Sequence, residues 1–356
     1  MNFIFFTKTN LSEPPRIRHQ LAFLLTAYGH NVYFFQRPKF PFSRLRHDVF
    51  RYESILPLNS MQLIHHQLRF LPFFSFLNSL VELSSIKNVL NTLNIDSPII
   101  INFNYDYFFI RKLFPTNRII TFINDDFPSQ AKCFNTSSIT HIQSLTCDNS
   151  DLVFCVSSVL ATKISTSSPV HVFPPWSTSR FMTSFNKNKR HVLFWGYIDN
   201  RINFSLVEEI ISSCPEFLFN FCGPIEKTVS SNIMHLSKYP NFIFHQSNDL
   251  DNLDFLNNVL AAFLPYRSDL PEIDSIVIPN RAFSFLSHGI PLIYSGAKNF
   301  LRATFTFPID SSSSFKKAIN SSNNTNLNDD ISSFLNMNSA DARYDYLMDV
   351  IGGLDV

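Results

Sequence analysis

Arg281 follows Asn280 at the head of the stretch Ile278-Pro279-Asn280-Arg281-Ala282-Phe283-Ser284-Phe285-Leu286-Ser287-His288-Gly289-Ile290-Pro291-Leu292-Ile293-Tyr294. Pro279 suits the first turn of a helix, where a missing N–H costs nothing. Ala282, Phe283, Phe285 and Leu286 recur at helical spacing. Gly289 can take the left-handed conformation that stops a helix, and Pro291 prevents its return. The stretch therefore reads as helix, glycine, strand. Free backbone N–H groups and a guanidinium at one helix N-terminus make an anion site. Two further cations follow apolar runs: Arg201, shortly after Gly196, and Arg267, in Pro265-Tyr266-Arg267-Ser268-Asp269. Glu272 and Asp274 come next, either as solvated loop acids or as acceptors for hydroxyl groups.

A second constellation lies in the first half. Asn124-Asp125-Asp126-Phe127 closes the apolar run Ile119–Ile123, and parallel α/β sheets bind ligands at that end of their strands. A carboxylate there can act as a general base or anchor a hydroxyl, or it can simply cap the next helix. Both readings stand for Asp125 and Asp126. His19 sits early in a helical pattern between Arg16, Arg18 and an apolar stripe, where it faces either a ligand or solvent. His65 and His66 are adjacent rather than one turn apart, and the five cysteines lack ligand spacing. No metal or cofactor is expected. Those cysteines read as reduced and buried, the pattern of a cytoplasmic protein.

The elements that would position these residues alternate. Asn2–Phe6, Val32–Phe35, Ile99–Ile101, Ile119–Ile123, Leu152–Val156 and Val170–Phe173 read as strands. Pro15–Tyr28, Ser79–Leu93, Tyr105–Phe114, Ile139–Thr146 and Ser158–Lys163 read as helices. This alternation implies a parallel sheet covered on both faces. After an irregular linker the pattern restarts. Strands are expected at Val192–Trp195, Phe217–Phe221, Phe242–Phe244, Ala261–Leu264 and Leu292–Tyr294, and helices at Phe204–Ser213, Asp251–Val259 and Asn280–His288. The Ser/Asn-rich stretch from Asp310 to Asn328 reads as a surface loop with one short helix, and Ala340–Ile351 as a final helix. The fold class is α/β with two Rossmann-like domains: 1–173, a linker at 174–190, 191–338, and a C-terminal helix within 339–356.

With 45% hydrophobic and 16% charged residues, the 356-residue chain is globular. Forty Phe against seven Gly is an unusual ratio. The net charge of +1 argues against nucleic acid as a partner. Residues 1–118 nevertheless carry thirteen Lys/Arg against six Asp/Glu, a net of +7 that leaves −6 for the remainder. No run has membrane-spanning length, and Lys8 interrupts the apolar start too soon for a signal sequence. Arg37, Lys39, Arg44, Arg46, His47 and Arg51 interleave with Phe40, Phe42 and Phe50. This basic-aromatic stretch, 37–51, reads either as a solvated loop or as a peripheral membrane contact.

Several segments, in order, resemble the GT-B glycosyltransferases of bacterial surface-polysaccharide assembly. Arg16-Ile17-Arg18-His19-Gln20-Leu21-Ala22 followed by Gly29-His30-Asn31-Val32 is similar to the opening of bacterial members. Asp151-Leu152-Val153-Phe154 resembles their later strand, Val192 to Ile198 the strand opening their second domain, and Pro279 to Leu292 their donor-binding helix and strand. The resemblance implies two Rossmann-like domains facing each other across a cleft. It implies a nucleotide-sugar co-substrate held by Gly196, Arg201, Arg267, Glu272, Asn280, Arg281 and Ser284, with Arg281 foremost for the diphosphate. It further implies a glycan or polyprenyl-linked acceptor on the first domain near Arg16 and Arg18, with Asp126, Asp125 or His19 as base, at the inner face of the cytoplasmic membrane. Retaining members carry two Glu where this chain has Ile276 and Ser284. An inactive GT-B subunit and a two-Rossmann sugar-nucleotide epimerase are therefore the alternatives.

Overall fold

The computed structural model describes residues 1–13, 15–41, 54–64, 71–131, 136–179, 181, 189–246, 253–322 and 327–353. It divides into two compact units, Met1–Pro174 and Pro175–Val356. The first runs β1 (Asn2–Phe6), α1 (Ile17–Ala27), β2 (Asn31–Phe35), β3 (Ile55–Leu58), α2 (Pro72–Leu90), β4 (Ile99–Asn102), α3 (Ile110–Leu113), β5 (Ile119–Ile123), α4 (Thr136–Asp148), β6 (Leu152–Cys155), α5 (Ser158–Lys163) and β7 (Val170–Val172). Its seven strands are parallel in the order β3-β2-β1-β4-β5-β6-β7. The order reverses between β1 and β4, and it is outside the carboxyl ends of strands at such a reversal that open parallel sheets bind ligands.

The second unit runs β8 (His191–Trp195), α6 (Phe204–Ser213), β9 (Leu218–Cys222), α7 (Ser230–Leu236), β10 (Phe242–His245), α8 (Leu253–Leu256), β11 (Val259–Pro265), α9 (Asn280–Ser287), β12 (Leu292–Ser295), β13 (Thr306–Pro308), α10 (Ser312–Ser322), α11 (Leu327–Met337) and α12 (Ala340–Gly353). The strands are again parallel, ordered β10-β9-β8-β11-β12-β13, with the reversal between β8 and β11. The expected α/β class with two Rossmann-like units is the observed one.

Central strands are largely apolar because helices cover both faces. Every residue of β5 is buried, as are the last four of β1. Part of the phenylalanine excess has a physical use here. Phe34, Phe5, Phe103, Phe122, Phe154 and Phe173 form a continuous ladder across the first sheet, with successive ring centroids 4.9–6.0 Å apart. Such contacts add to the burial of the rings themselves.

Three expectations need correction. The helix expected at Tyr105–Phe114 contracts to α3, since Tyr107, Phe109, Ile110 and Phe114 all enter the core and leave no polar face. The helix expected at Asp251–Val259 is only α8 among the described residues, because Val259 already belongs to β11 and pairs with His191. The region 310–328 holds α10 and the start of α11 rather than one short helix. Phe315, Ala318, Ile319 and Ser322 bury a helical stripe that the serines disguise. The short strands β3 and β13 and the helix α7 leave no periodic signal in the sequence.

Candidate functional site

Three glycines shape the carboxyl edge of the second sheet. Gly196 follows β8 at φ +149°, Gly223 follows β9 at φ +137°, and Gly296 follows β12 at φ +77°. Each has a reason to lack a side chain. A Cβ on Gly223 would lie 2.0 Å from the Gly196 carbonyl oxygen, and one on Gly296 2.3 Å from the Tyr266 carbonyl oxygen. A Cβ on Gly196 would lie 1.8 Å from Nη1 of Arg281. The space denied to Gly196 is thus the space taken by that guanidinium.

Arg281 comes from the first turn of α9. Pro279 is the cap residue itself, at φ −75° and ψ 149°, and Asn280 begins the helix. Ala282, Phe283, Phe285 and Leu286 are buried and anchor α9 to the core, so the first-turn residues are held at the sheet edge. Nη1 of Arg281 donates to the Trp195 carbonyl at 2.7 Å, and Nη2 donates to the Tyr266 hydroxyl. The guanidinium carbon sits 4.7 Å from the Phe194 ring centroid and 5.7 Å from that of Tyr266. Trp195 ends β8 and Tyr266 follows β11, so Arg281 spans the strand-order reversal. It has no carboxylate within ion-pair distance among the described residues, and a guanidinium carries five N–H donors.

The other donor-side residues gather around the same edge in two modes. Arg267 N–H donates to the Arg201 carbonyl at 2.9 Å, and Asn203 N–H to the Pro265 carbonyl at 2.8 Å, which zips the loops after β8 and β11 together. Their side chains are engaged locally: Arg201 with Asp199 at 2.6 Å, Arg267 with Asp269. Asp269, by hydrogen bonding, holds the Arg267 guanidinium above its ordinary range, and the more distant Glu272 adds to this. Asn280 is half-buried, and its Oδ1 has no hydrogen-bond partner among the described residues. Ser284 lies one turn further along α9 and is exposed.

At the carboxyl edge of the first sheet, Asp126 is a structural hub. It is 4% exposed, accepts the Ser129 N–H at 3.2 Å, and meets Lys163 Nζ at 2.6 Å. Asp125, half-buried, accepts from the Asn124 amide at 2.7 Å. Arg18 lies 7% exposed over the Phe103 ring, 5.8 Å from its centroid, and its Nε has no partner among the described residues. Burial pushes this guanidinium down to about 10, and the nearby charge of Asp125 is the main opposing influence. The charges of Arg18 and Asp125 thus act on one another. Arg16 stays exposed, 4.0 Å from Glu13. His19 is 1% exposed and uses both ring nitrogens around α1: Nδ1 accepts the Arg16 N–H at 3.1 Å and Nε2–H donates to the Asn10 carbonyl at 3.0 Å. Burial holds its pKa below the ordinary value. This geometry is a helix cap.

No family model matches the chain, and no curated protein matches it in sequence. Solved structures do. Sucrose-phosphate synthase from Thermosynechococcus elongatus is similar with a TM-score of 0.74 at 12% identity, over 99% of this chain and 98% of that one. HepE from Anabaena in complex with UDP-glucose is similar with a TM-score of 0.71 at 10% identity, over 99% and 100%. An α,α-trehalose-phosphate synthase (UDP-forming) from Burkholderia vietnamiensis gives 0.68 at 10% identity, over 98% and 95%. The fold is that of the GT-B glycosyltransferases.

Within this GT-B fold, two features have no counterpart in the sequence motifs. Lys8, just after β1, meets Asp106, just beyond β4, with Nζ 2.5 Å from Oδ1 and 5.2 Å from the Tyr105 ring centroid. This pair sits where the first sheet reverses its order, but 98 residues of separation hide it from any local motif. Tyr266 stands in the sequence as a mere neighbour of Arg267, whereas its hydroxyl and ring position Arg281. The signal available is the glycine count: with seven in the chain, three at strand ends of one sheet mark a crowded edge. Among the described residues, no three His, Cys, Asp or Glu side chains gather as a metal site. Cys147 and Cys155 are buried, which pushes both thiols up to about 12. Cys133 and most of the basic-aromatic stretch, 42–51, lie outside the described residues.

Proposed function

We propose that this protein is a glycosyltransferase that moves a sugar from a uridine-diphosphate sugar onto a glycan or polyprenyl-linked acceptor, at the inner face of the cytoplasmic membrane. The observation that carries this reading is Arg281. It is a guanidinium without a close carboxylate among the described residues, at the head of a helix, on the strand-order reversal, with a glycine opposite to make room. A diphosphate leaving group needs such a cation and such N–H groups. The uridine choice is supported by HepE, solved with UDP-glucose, and by an Escherichia coli neighbour bound with UDP-2-fluoro glucose. Asn280 and Ser284 extend the donor surface along α9, while Arg201, Arg267 and Glu272 hold the loops that frame it.

On the acceptor side, Arg18 binds and Asp125 accepts the proton. Asp126 and His19, whose polar atoms serve Lys163, Ser129, Arg16 and Asn10, are the other candidates for the base. Ile276 and Ser284, standing where retaining relatives carry Glu, favour an inverting transfer or, as the second reading, a subunit that binds donor without using it. Calorimetry with UDP and UDP-glucose, followed by turnover with membrane extract as acceptor source, tests this. Binding with sugar transfer is expected. Binding without transfer supports the inactive subunit, and absence of UDP binding removes the reading.

A further inference from the structure

The first half of helix α2 is inside out. Along its first turns, Phe73, Phe76 and Leu80 are 68%, 55% and 48% exposed, while Ser75, Asn78, Ser79, Glu82 and Ser85 are all under 9% exposed. The two sets follow helical spacing on opposite faces. The buried polar groups have work to do. Asn78 Oδ1 accepts the N–H groups of Leu63 and Ile64 at 2.9 and 3.1 Å, and Ser85 Oγ accepts that of Met61 at 2.9 Å. Rotating the helix to bury its phenylalanines would strip these backbone groups of partners, a cost that keeps buried polar groups paired. The sequence thus commits α2 to an apolar outer face.

The segment that α2 ties down continues that surface. Met61 and Leu63 are themselves 46% and 48% exposed, and Met61 pairs with Lys39, next to the exposed Phe40. We infer that this face of the first unit docks onto an anionic lipid bilayer, with Phe73, Phe76 and Leu80 entering the interfacial zone. Three observations select a bilayer. Over the first turns of α2 the outer face offers the hydrocarbon of Phe73, Phe76 and Leu80, which suits an acyl boundary, and the exposed Lys87 follows two turns after Leu80. Among the described residues of 37–90 the cations Arg37, Lys39 and Lys87 stand against one acid, Glu82, which is buried, so the surroundings complement anionic headgroups. A second copy of the chain would bring the same positive charge against itself.

The inference deepens the reading of a membrane-linked acceptor and rests on it only for its purpose. The test is sedimentation with vesicles of phosphatidylcholine containing phosphatidylglycerol, using the full chain and the double variant Phe73→Ser/Phe76→Ser. The native chain should bind these vesicles, less so in high salt and least to phosphatidylcholine alone. The double variant should partition at least about tenfold less, with unchanged thermal unfolding, because both side chains are already in water. UDP affinity should match the native value. Equal partitioning of variant and native, or no native binding at low salt, overturns the inference. So does a native dimer that the variant dissolves, which would assign the face to a second copy. If UDP fails to bind but partitioning still depends on the two phenylalanines, the membrane face stands and the transferase reading falls.

Discussion

The two units share one topology and differ at the same place in it. At the carboxyl edge of the second sheet, glycines open the strand ends and Arg281 fills the opening without a close carboxylate among the described residues. At the corresponding edge of the first sheet there is no glycine; Lys8 meets Asp106 and Lys163 meets Asp126 in ion pairs, while Arg18 lies buried over the Phe103 ring. A diphosphate brings its own negative charge, so a site for it gains from a cation not already neutralised and from backbone approached closely. A sugar acceptor is neutral or nearly so. It is oriented by fixed hydrogen-bonding groups, such as Arg18 and Asp125 offer on the proposed acceptor side. On the proposed function, the asymmetry of glycine and charge suits two similar sheets to two different substrates.

The sharpest way to break this comparison is through the two neighbouring acids. Asp125→Asn should lower turnover by roughly 10²–10⁴ with UDP affinity unchanged, the usual loss for a general base. Asp126→Asn keeps the shape that caps Ser129 but loses the charge paired with Lys163. It should lower stability by about 1–3 kcal/mol and leave turnover per folded molecule near native. If steady-state kinetics show the opposite assignment, with Asp126→Asn silencing a well-folded enzyme, the ion pair with Lys163 is part of the chemistry. Next in size is Arg281→Ala, expected to weaken UDP by about 1.5–3 kcal/mol, the scale of a charge-assisted hydrogen bond left unmade. Arg281→Lys should recover little, since an ammonium cannot reproduce the planar fork that reaches both Trp195 and Tyr266. Calorimetry that finds either variant binding UDP like the native chain would place the diphosphate elsewhere.

Local patterns made much of this legible, and distance in sequence set the limit. The helix, glycine and strand from Asn280 to Tyr294 can be read because every signal lies within a few turns. Which strands become neighbours cannot, and that decides the site. Lys8 and Asp106 meet only because β1 and β4 pair, and Arg281 meets Tyr266 only because α9 returns over β11. The capping of α1 by His19 is hidden for a different reason. Histidine at the third helical position has no special standing as a cap, and only the buried carbonyl of Asn10 completes its partners. The outward phenylalanines of α2 are hidden by the ordinary rule that apolar faces turn inward.

The glycines offer a smaller and cleaner contrast. Gly29, the first unit's glycine, has φ +78°, and a Cβ added to it would meet nothing within 4 Å. Gly29→Ala should therefore cost only the left-handed conformation, about 1–2 kcal/mol. Gly196→Ala, at φ +149° and so outside the left-handed well, carries a larger backbone penalty and must also push the Arg281 guanidinium aside. It should weaken UDP beyond anything its stability loss explains. Gly296→Ala would collide with the Tyr266 carbonyl, which cannot swing away as a side chain can, so its stability loss should exceed both. Thermal unfolding of the three variants beside UDP titrations checks the order. A Gly196→Ala protein with native UDP affinity would mean that the guanidinium has room to spare.

The smallest effect expected is an acid-dependent one in the first unit. Burial holds His19 below its ordinary pKa, and its two hydrogen bonds use the neutral ring with the proton on Nε2. Above about pH 6.5 the folded and unfolded chains both keep this histidine neutral, and it adds no pH dependence. As pH falls through that value, the unfolded chain takes up a proton that the folded chain resists, so stability declines until the folded pKa is reached. The slope from one such group is at most about 1.4 kcal/mol per pH unit. His30 and His191 are depressed by burial as well and share this sign. The difference between native and His19→Gln in urea unfolding, followed from about pH 7.5 to about pH 5.5, isolates the His19 share. The variant should start less stable, having lost a cap, and then lose less as pH falls. Its turnover per folded molecule should stay close to native, because both ring nitrogens serve the backbone of α1 and its approach. A large loss of turnover in a folded His19→Gln protein would instead make this histidine a participant in proton transfer and move the base away from Asp125.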